Sequence, residues 1–261
     1  MKAMILAAGL GTRLRPLTDD RPKALVTVAG RTLLEIALKR LRCFGVSEAI
    51  VNTHHYAEMI ANYLKANCNF GMRIEISREE ELLDTGGGLK KAAHFFLGGS
   101  REEPFLLHNV DVLSTIDLGR MIGFHTQQDA LATLAVQDRE TSRSLFFDEQ
   151  GVLCGRSAGR DGKPEWTRPV DEAQALAFSG IHVISPRIFA KLEEEGAFSI
   201  IGAYMRLAAR GERIVAFRAD EYYWRDLGRP ESVLEAGRDL ASGRYTGSGD
   251  TAEHKPDAAR E

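Results

Sequence analysis

Residues 4–23 read Met4-Ile5-Leu6-Ala7-Ala8-Gly9-Leu10-Gly11-Thr12-Arg13-Leu14-Arg15-Pro16-Leu17-Thr18-Asp19-Asp20-Arg21-Pro22-Lys23. A short apolar run over 4–8 enters a loop built on Gly9 and Gly11, and Arg13, Arg15 and Lys23 follow. Glycine lets a backbone come close to a phosphate because no Cβ stands in the way. Consecutive N–H groups in such a turn form an anion-binding nest, and fixed cations beside it suit a triphosphate. Two familiar phosphate loops are excluded. G-x-G-x-x-G needs a third glycine where Leu14 stands, and a Walker loop needs Gly-Lys-Ser or Gly-Lys-Thr where Gly11-Thr12-Arg13 stands.

Working outward, strands and helices alternate through the first half, which predicts a mainly parallel sheet covered on both faces. The apolar spacing predicts strands over 3–6, 49–52, 72–76 and 104–109. It predicts helices over 33–44, ended by Gly45, over 56–64, and over 88–96 after a glycine triplet. In open α/β sheets ligands bind at the carboxyl ends of strands, which places the glycine loop and the acid that follows the 104–109 strand on one edge. The second half is less regular. Strands are expected over 131–136, 178–184, 214–217 and 222–224, with a hairpin around 145–153 broken at Glu149-Gln150-Gly151. Residues 159–168 read as a surface loop. Helices are expected from Pro186, over 200–209 and over 230–240. From Ser242 onward the chain is small, polar and charged and reads as a flexible tail, leaving a single domain over 1–240 and a tail over 241–261.

Composition narrows the class of protein. The chain has 261 residues and a net charge of −3, so it is long enough for a large core and carries no nucleic-acid footprint. No apolar run reaches membrane-spanning length. Cys43, Cys68 and Cys154 are odd in number and far apart, so they are expected to pack as small apolar residues in a reducing compartment. A soluble cytoplasmic protein with no nucleic-acid or membrane partner is expected; oligomeric state is not readable.

The pattern G-x-G-T-R, followed several residues on by P-K, resembles the amino-terminal loop of the sugar-phosphate nucleotidyltransferases. Gly9, Gly11, Thr12, Arg13, Pro22 and Lys23 match it, and Leu6, Ala7 and Ala8 fall where that family lies along the nucleobase. Asp84-Thr85-Gly86-Gly87-Gly88 resembles its nucleobase-pocket element, although taken alone the same residues read as a helix start capped by Asp84 or Thr85. Asn109-Val110-Asp111 resembles its strand-end element, with Val110 departing from the usual glycine. Asp226, between Tyr222-Tyr223-Trp224 and Leu227-Gly228, resembles a second metal acid. Phe178-Ser179-Gly180-Ile181 resembles the strand that contacts the sugar.

The resemblance covers 1–240 and implies a Rossmann-like three-layer α/β/α fold with a mainly parallel, mixed central sheet. It implies that Leu6, Ala7, Ala8, Gly9, Gly11, Thr12, Arg13, Lys23, Thr85, Gly86, Gly87 and Asn109 contact the nucleotide. Asp111 and Asp226 would hold Mg²⁺, a hard ion commonly bound by one or two carboxylates plus phosphates. Ser179 and Gly180 would meet the sugar; Asp138, just past a strand, reads equally as a contact to sugar hydroxyls or as an ordinary loop acid, with Glu165 and Asp171 as further candidates. Arg13 and Lys23 would be catalytic, because transfer between two polyanions depends on positioning and charge stabilisation rather than on a general base. The paired His54 and His55 do not match zinc spacing. The implied partners are a nucleoside triphosphate and a sugar 1-phosphate. The chain looks most like N-acetylmuramate 1-phosphate uridylyltransferases. Mannose 1-phosphate guanylyltransferases and glucose 1-phosphate thymidylyl- or uridylyltransferases share the loop, and a non-catalytic sugar-nucleotide-binding regulator stands as an alternative of another class.

Overall fold

The computed structural model describes residues 1–98, 103–157 and 163–245. In chain order the first half contains β1 (Lys2–Leu6), a short ribbon of β2 (Thr27–Val28) and β3 (Arg31–Thr32), α1 (Leu33–Cys43), β4 (Glu48–Thr53), α2 (Ala57–Ala66), β5 (Arg73–Arg78), α3 (Asp84–Lys91), α4 (Ala93–Leu97), β6 (Phe105–Asn109), β7 (Val112–Ser114) and α5 (Leu118–Gln127). The second half contains β8 (Ala132–Gln137), β9 (Ser144–Phe147), β10 (Leu153–Ser157), β11 (Pro164–Trp166), β12 (Gln174–Ile184), a 3-10 turn (Pro186–Lys191), α6 (Ile200–Ala209), β13 (Ile214–Arg218), β14 (Trp224–Asp226) and α7 (Pro230–Ala241).

The main sheet runs β5-β4-β1-β6-β12, with β8 and then β13 beyond β12. β1 is parallel to β4 and β6, and β4 to β5, so Leu6 lies beside both Asn52 and Asn109 where three strands end on one edge. β12 runs against β6 and β8, which makes the sheet mixed. It also changes neighbour along its length. Ile181 to Ile184 pair with β6, whereas Gln174 to Ala177 pair with β9, which leads on to β10 and β11. The register against β8 shifts between Phe178 and His182. The sheet therefore forks at Ser179-Gly180, beside the carboxyl end of β6.

Side chains alternate across a strand, and the core divides accordingly. Ala3, Ile5 and Val51 pack with α1, α2, α5 and α7 on one face; Met4, Ile50 and Leu107 pack with α3, α4 and α6 on the other. Burying one leucine or isoleucine contributes about 1.5–3 kcal/mol, so the stripe of Leu34, Leu38 and Leu41 on α1, all fully buried, anchors that helix firmly. Local caps fix where helices begin. Thr32 accepts a hydrogen bond from the Glu35 N–H at 3.1 Å, and Asp117 accepts one from the Arg120 N–H at 2.9 Å.

Several expectations are corrected. The glycine triplet does not precede a helix: Gly86, Gly87 and Gly88 lie inside α3, which ends at Lys91 before a separate α4. Pro186 opens a 3-10 turn rather than an α-helix. α5 and β7 were not expected; two glycines blur the apolar period of α5, and its cap Asp117 was the usable signal. Part of the 159–168 loop is strand β11, held by an Arg156–Glu165 ion pair at 2.7 Å and by Trp166 stacked on Phe146; residues 159–162 lie outside the described residues. Tyr245, inside the expected tail, is 4% exposed and packs against Tyr223; residues 246–261 lie outside the described residues. Cys154 is buried, but Cys43 and Cys68 are exposed. Among the described residues no helix is long and apolar enough to cross a membrane.

Candidate active site

The apolar strand β1 delivers the glycine loop to the sheet edge, and a buried polar chain holds it there. The Ala7 N–H donates to Asn52 Oδ1 at 2.7 Å, Asn52 Nδ2 donates to Glu79 Oε1 at 2.7 Å, and the Leu83 N–H donates to Glu79 Oε2 at 3.0 Å. Asn52 and Glu79 are both 2% exposed. A carboxylate so deeply buried is tolerated when its oxygens are hydrogen-bonded. The chain joins β1, β4 and the approach to α3, three segments that are distant in sequence.

Beyond Gly9 the loop folds back on itself. Gly11 has φ +66°, and its carbonyl accepts from the Leu14 N–H and from Thr18 Oγ1, both at 2.9 Å. A Cβ at Gly11 would sit 3.0 Å from Thr18 Cγ2 and 3.3 Å from Lys23 Cβ, so glycine eases the close packing of Thr18 and Lys23 on this left-handed turn. The Lys23 ammonium is ion-paired with Asp111, and each side chain is 13% exposed.

The segments that carry Asp111 and Asp226 are joined by backbone pairing. β7 and β14 form an antiparallel ribbon with Asp226 opposite Val112, and the Leu227 N–H donates to the Asp111 carbonyl at 2.8 Å. Asp226 Oδ1 accepts from the Gly228 N–H at 2.7 Å. A Cβ at Gly228 would lie 2.5 Å from Asp226 Oδ1 and 3.1 Å from Arg13 Nη2, so the Arg13 guanidinium sits over Gly228 next to Asp226. Arg13, Lys23, Asp111 and Asp226 are thus brought to one place.

Beside them opens a cavity of about 380 Å³ lined by Leu6, Ala7, Ala8, Gly9, Lys23, Asn52, Glu79, Leu82, Asp84, Thr85, Asn109, Val110 and Asp111. Gly11, Thr12 and Arg13 lie outside this lining, on the loop around Lys23. Gly86 and Gly87 serve packing: both N–H groups donate to the Phe198 carbonyl, at 2.9 and 3.3 Å, and a Cβ at Gly86 would strike the Phe198 ring at 2.3 Å. Thr85 Oγ1 accepts from the Ile200 N–H at 3.0 Å, so this hydroxyl starts α6 rather than its own helix. Val110 is 4% exposed and belongs to the core. Sequence reading missed Asn52, Glu79 and Leu82. The signal for Asn52 was its position at the end of β4, in register with Leu6.

The expected sugar side lies at the fork in the sheet. Gly180 has φ +74°, and a Cβ there would collide with Val112 Cγ2 at 2.7 Å and Asn109 Nδ2 at 2.9 Å, so the bulge abuts the end of β6. Ser179 is fully buried, and its carbonyl accepts from Trp224 Nε1 at 2.7 Å. Behind the bulge His108 and His182 are buried, and burial pushes their pKa values down to about 4 and about 3, so both imidazoles are neutral near pH 7. Asp138 is exposed, with its N–H donating to Asp220 Oδ1 at 2.6 Å. Glu165 is paired with Arg156, and Asp171 is exposed. His54 Nδ1 lies 2.9 Å from the Glu79 carbonyl oxygen, and with His55 it borders an open depression beside the cavity. Among the described residues no cluster of three or more His, Cys, Asp or Glu could hold a metal ion.

Known proteins with these features are numerous. The chain is 37% identical over 250 residues to N-acetylmuramate alpha-1-phosphate uridylyltransferase of Caulobacter vibrioides, covering 92% of this chain and 96% of that protein. It is 30% identical to mannose-1-phosphate guanylyltransferase of Mycobacterium tuberculosis and 28% identical to UTP–glucose-1-phosphate uridylyltransferase of Synechocystis, but spans only 65% and 64% of their lengths. Among solved structures, UDP-glucose pyrophosphorylase complexed with UDP-glucose superposes with a TM-score of 0.72 at 20% identity, over 93% of this chain and 99% of that one. HddC from Yersinia pseudotuberculosis complexed with GMP-PN superposes with a TM-score of 0.72 at 22% identity, over 92% and 99%. These likenesses establish the fold. Residues 2–243 match the nucleotidyl transferase family, and the chain belongs to that family.

Proposed function

We propose that this chain joins UTP to N-acetylmuramate 1-phosphate, forming a UDP-sugar and releasing pyrophosphate. The observation that carries the reading is the Lys23–Asp111 ion pair in the lining of the β1-loop cavity, with Arg13 beside Asp226 on the segment that pairs with the one carrying Asp111. The choice of base and sugar is supported by the 37% identity to the Caulobacter relative over nearly the whole of both chains.

In the reaction a phosphate oxygen of the sugar attacks the α-phosphorus of the nucleotide. The new O–P bond forms as the bond to the β-phosphate oxygen breaks, and pyrophosphate leaves with that electron pair. The attacking oxygen is already ionised at neutral pH, so no side chain need remove a proton. The residues of this chain overcome repulsion between two polyanions. Backbone of 6–9 and Thr85 flank the base and ribose. Lys23 faces the reacting phosphates as a point charge, and the planar fork of Arg13 suits the departing β- and γ-phosphates. Asp111 and Asp226 offer only hard carboxylate oxygens, which fits Mg²⁺ completed by phosphate oxygens and water. When bound, that ion would supply charge neutralisation on the phosphates.

The test is a pyrophosphate-release assay over a panel of triphosphates and sugar 1-phosphates. UTP with N-acetylmuramate 1-phosphate is expected to give the highest kcat/KM. Faster turnover of a guanosine or thymidine nucleotide with another sugar would reassign the substrates, and no release with any pair would favour a binding role.

A further inference from the structure

Arg139 is not explained by the reading above, and its surroundings are unusual. Its root is rigidly mounted: buried Gln137 donates through Nε2 to the carbonyls of Ala219 at 2.8 Å and Tyr222 at 3.0 Å, and the Asp138 N–H donates to Asp220. The guanidinium carbon lies 3.7 Å from the centroid of the Trp224 ring, which is itself fixed by the bond from Nε1 to the Ser179 carbonyl. One terminal nitrogen donates to the Phe178 carbonyl at 2.8 Å, and Nε is buried without a partner. Arg139 forms no ion pair among the described residues. Burial lowers its pKa, opposed by the charge of Asp226 nearby. A half-buried cation without a direct ion pair is costly, and here it is held by stacking on an aromatic face.

Its position indicates which ligand would pair with it directly. Trp224, Asp226 and Gly228 follow one another at two-residue intervals. Arg13 lies over Gly228, Arg139 over Trp224, and the acid stands between them. Arg13 rises from the nucleotide loop; Arg139 bonds to the strand that forks at Ser179-Gly180. The acceptor phosphate must reach the α-phosphorus near Lys23, so an anion beside Arg139 belongs to another part of the acceptor. We propose that Arg139 is a specificity-determining residue that reads a carboxylate carried on the acceptor sugar ring, with Trp224 presenting its planar fork. A guanidinium matches a carboxylate in a bidentate, charge-assisted pair that an ammonium cannot reproduce. N-acetylmuramate carries such a carboxylate on its lactyl ether; N-acetylglucosamine is the same sugar without it. The inference rests on the sugar 1-phosphate reading of the site.

The experiment compares kcat/KM for N-acetylmuramate 1-phosphate and N-acetylglucosamine 1-phosphate in the wild type, Arg139→Met and Arg139→Lys, with UTP affinity measured by calorimetry. The wild type is expected to favour the carboxylate-bearing sugar. In Arg139→Met that preference should fall by about ten- to a hundredfold, as for loss of a charge-assisted hydrogen bond. Arg139→Lys should fall between the two, and UTP affinity should stay at the wild-type value. Equal losses on both sugars, or a wild type indifferent to the carboxylate, would overturn the inference while leaving the transfer reaction standing. A wild type that turns over neither sugar, nor any other sugar 1-phosphate, would overturn the reaction itself. A fall in UTP affinity in Arg139→Met that matches the loss in turnover would place the residue in nucleotide binding and overturn the acceptor role.

Discussion

The nucleotide side and the acceptor side of the sheet are assembled by different kinds of contact. On the nucleotide side, β4, β1 and β6 run parallel, with helices between them in the chain, and the loop after β1 closes on its own residues through Gly11, Thr18 and Lys23. On the acceptor side a single strand, β12, serves β6, β8 and β9 at once, and the residues that gather there come from the segment just after β8, from β12 and from β14. The glycine loop is closed by its own residues, while the Asn52–Glu79 bridge ties its base to β4 and the approach to α3. Long-range assembly suits a part whose task changes with the ligand, because each contributing segment can vary without disturbing the others.

Substitutions should expose this division. The largest effect is expected at the junction shared by both sides: Asp111→Asn and Asp226→Asn should each lower turnover by about a thousandfold, the scale of several kcal/mol of lost charge stabilisation. Titrating Mg²⁺ against pyrophosphate release checks this, and an unaltered metal requirement in both variants would remove the carboxylate pair from the mechanism. Next comes a change remote from either side. Tyr245→Ala empties a buried aromatic site and should cost about 3 kcal/mol of stability, read by denaturant unfolding, with kcat unaffected; a fall in kcat without a fall in stability would tie the carboxyl-terminal packing to the site. Arg13→Ala and Lys23→Ala should reduce kcat by about ten- to a hundredfold with unfolding curves close to wild type. Full activity in both would detach the cationic loop from the chemistry. The most selective effect is expected from Asn52→Ala. Loss of the bridge between Ala7 and Glu79 should raise the KM for the nucleotide by about tenfold, as for a buried hydrogen bond left unmade, and leave the acceptor KM within about twofold. A matching rise in both KM values would dissolve the distinction between the two sides.

The same division decides what could be read from the chain. The glycine loop, the helix face of α1 and the strand ends at Leu6 and Asn109 are local patterns, and the parallel core follows from them. Asp111 and Asp226 were legible as single acids, but their meeting depends on the β7–β14 ribbon, whose strands are each three residues long and carry no period. Asn52 and Glu79 look like ordinary polar residues at strand ends; only folding makes them a continuous hydrogen-bonded bridge. The glycines of α3 carry a packing constraint that the sequence does not display. They read as a contact surface for a base, and in the fold Gly86 makes room for the Phe198 ring and Gly87 for the Gly196 carbonyl, residues more than a hundred positions away. Arg139 left no trace in the sequence because its meaning lies in an aromatic ring and a carbonyl from two other strands.

A strand that changes neighbours half-way along leaves some main-chain oxygens that no adjacent strand claims. In this molecule two side chains plug the joint, Arg139 on the Phe178 carbonyl and Trp224 on the Ser179 carbonyl. Such a joint is a natural place for divergence. Exchanging the plugs would alter the acceptor side while the parallel ladder keeps its register.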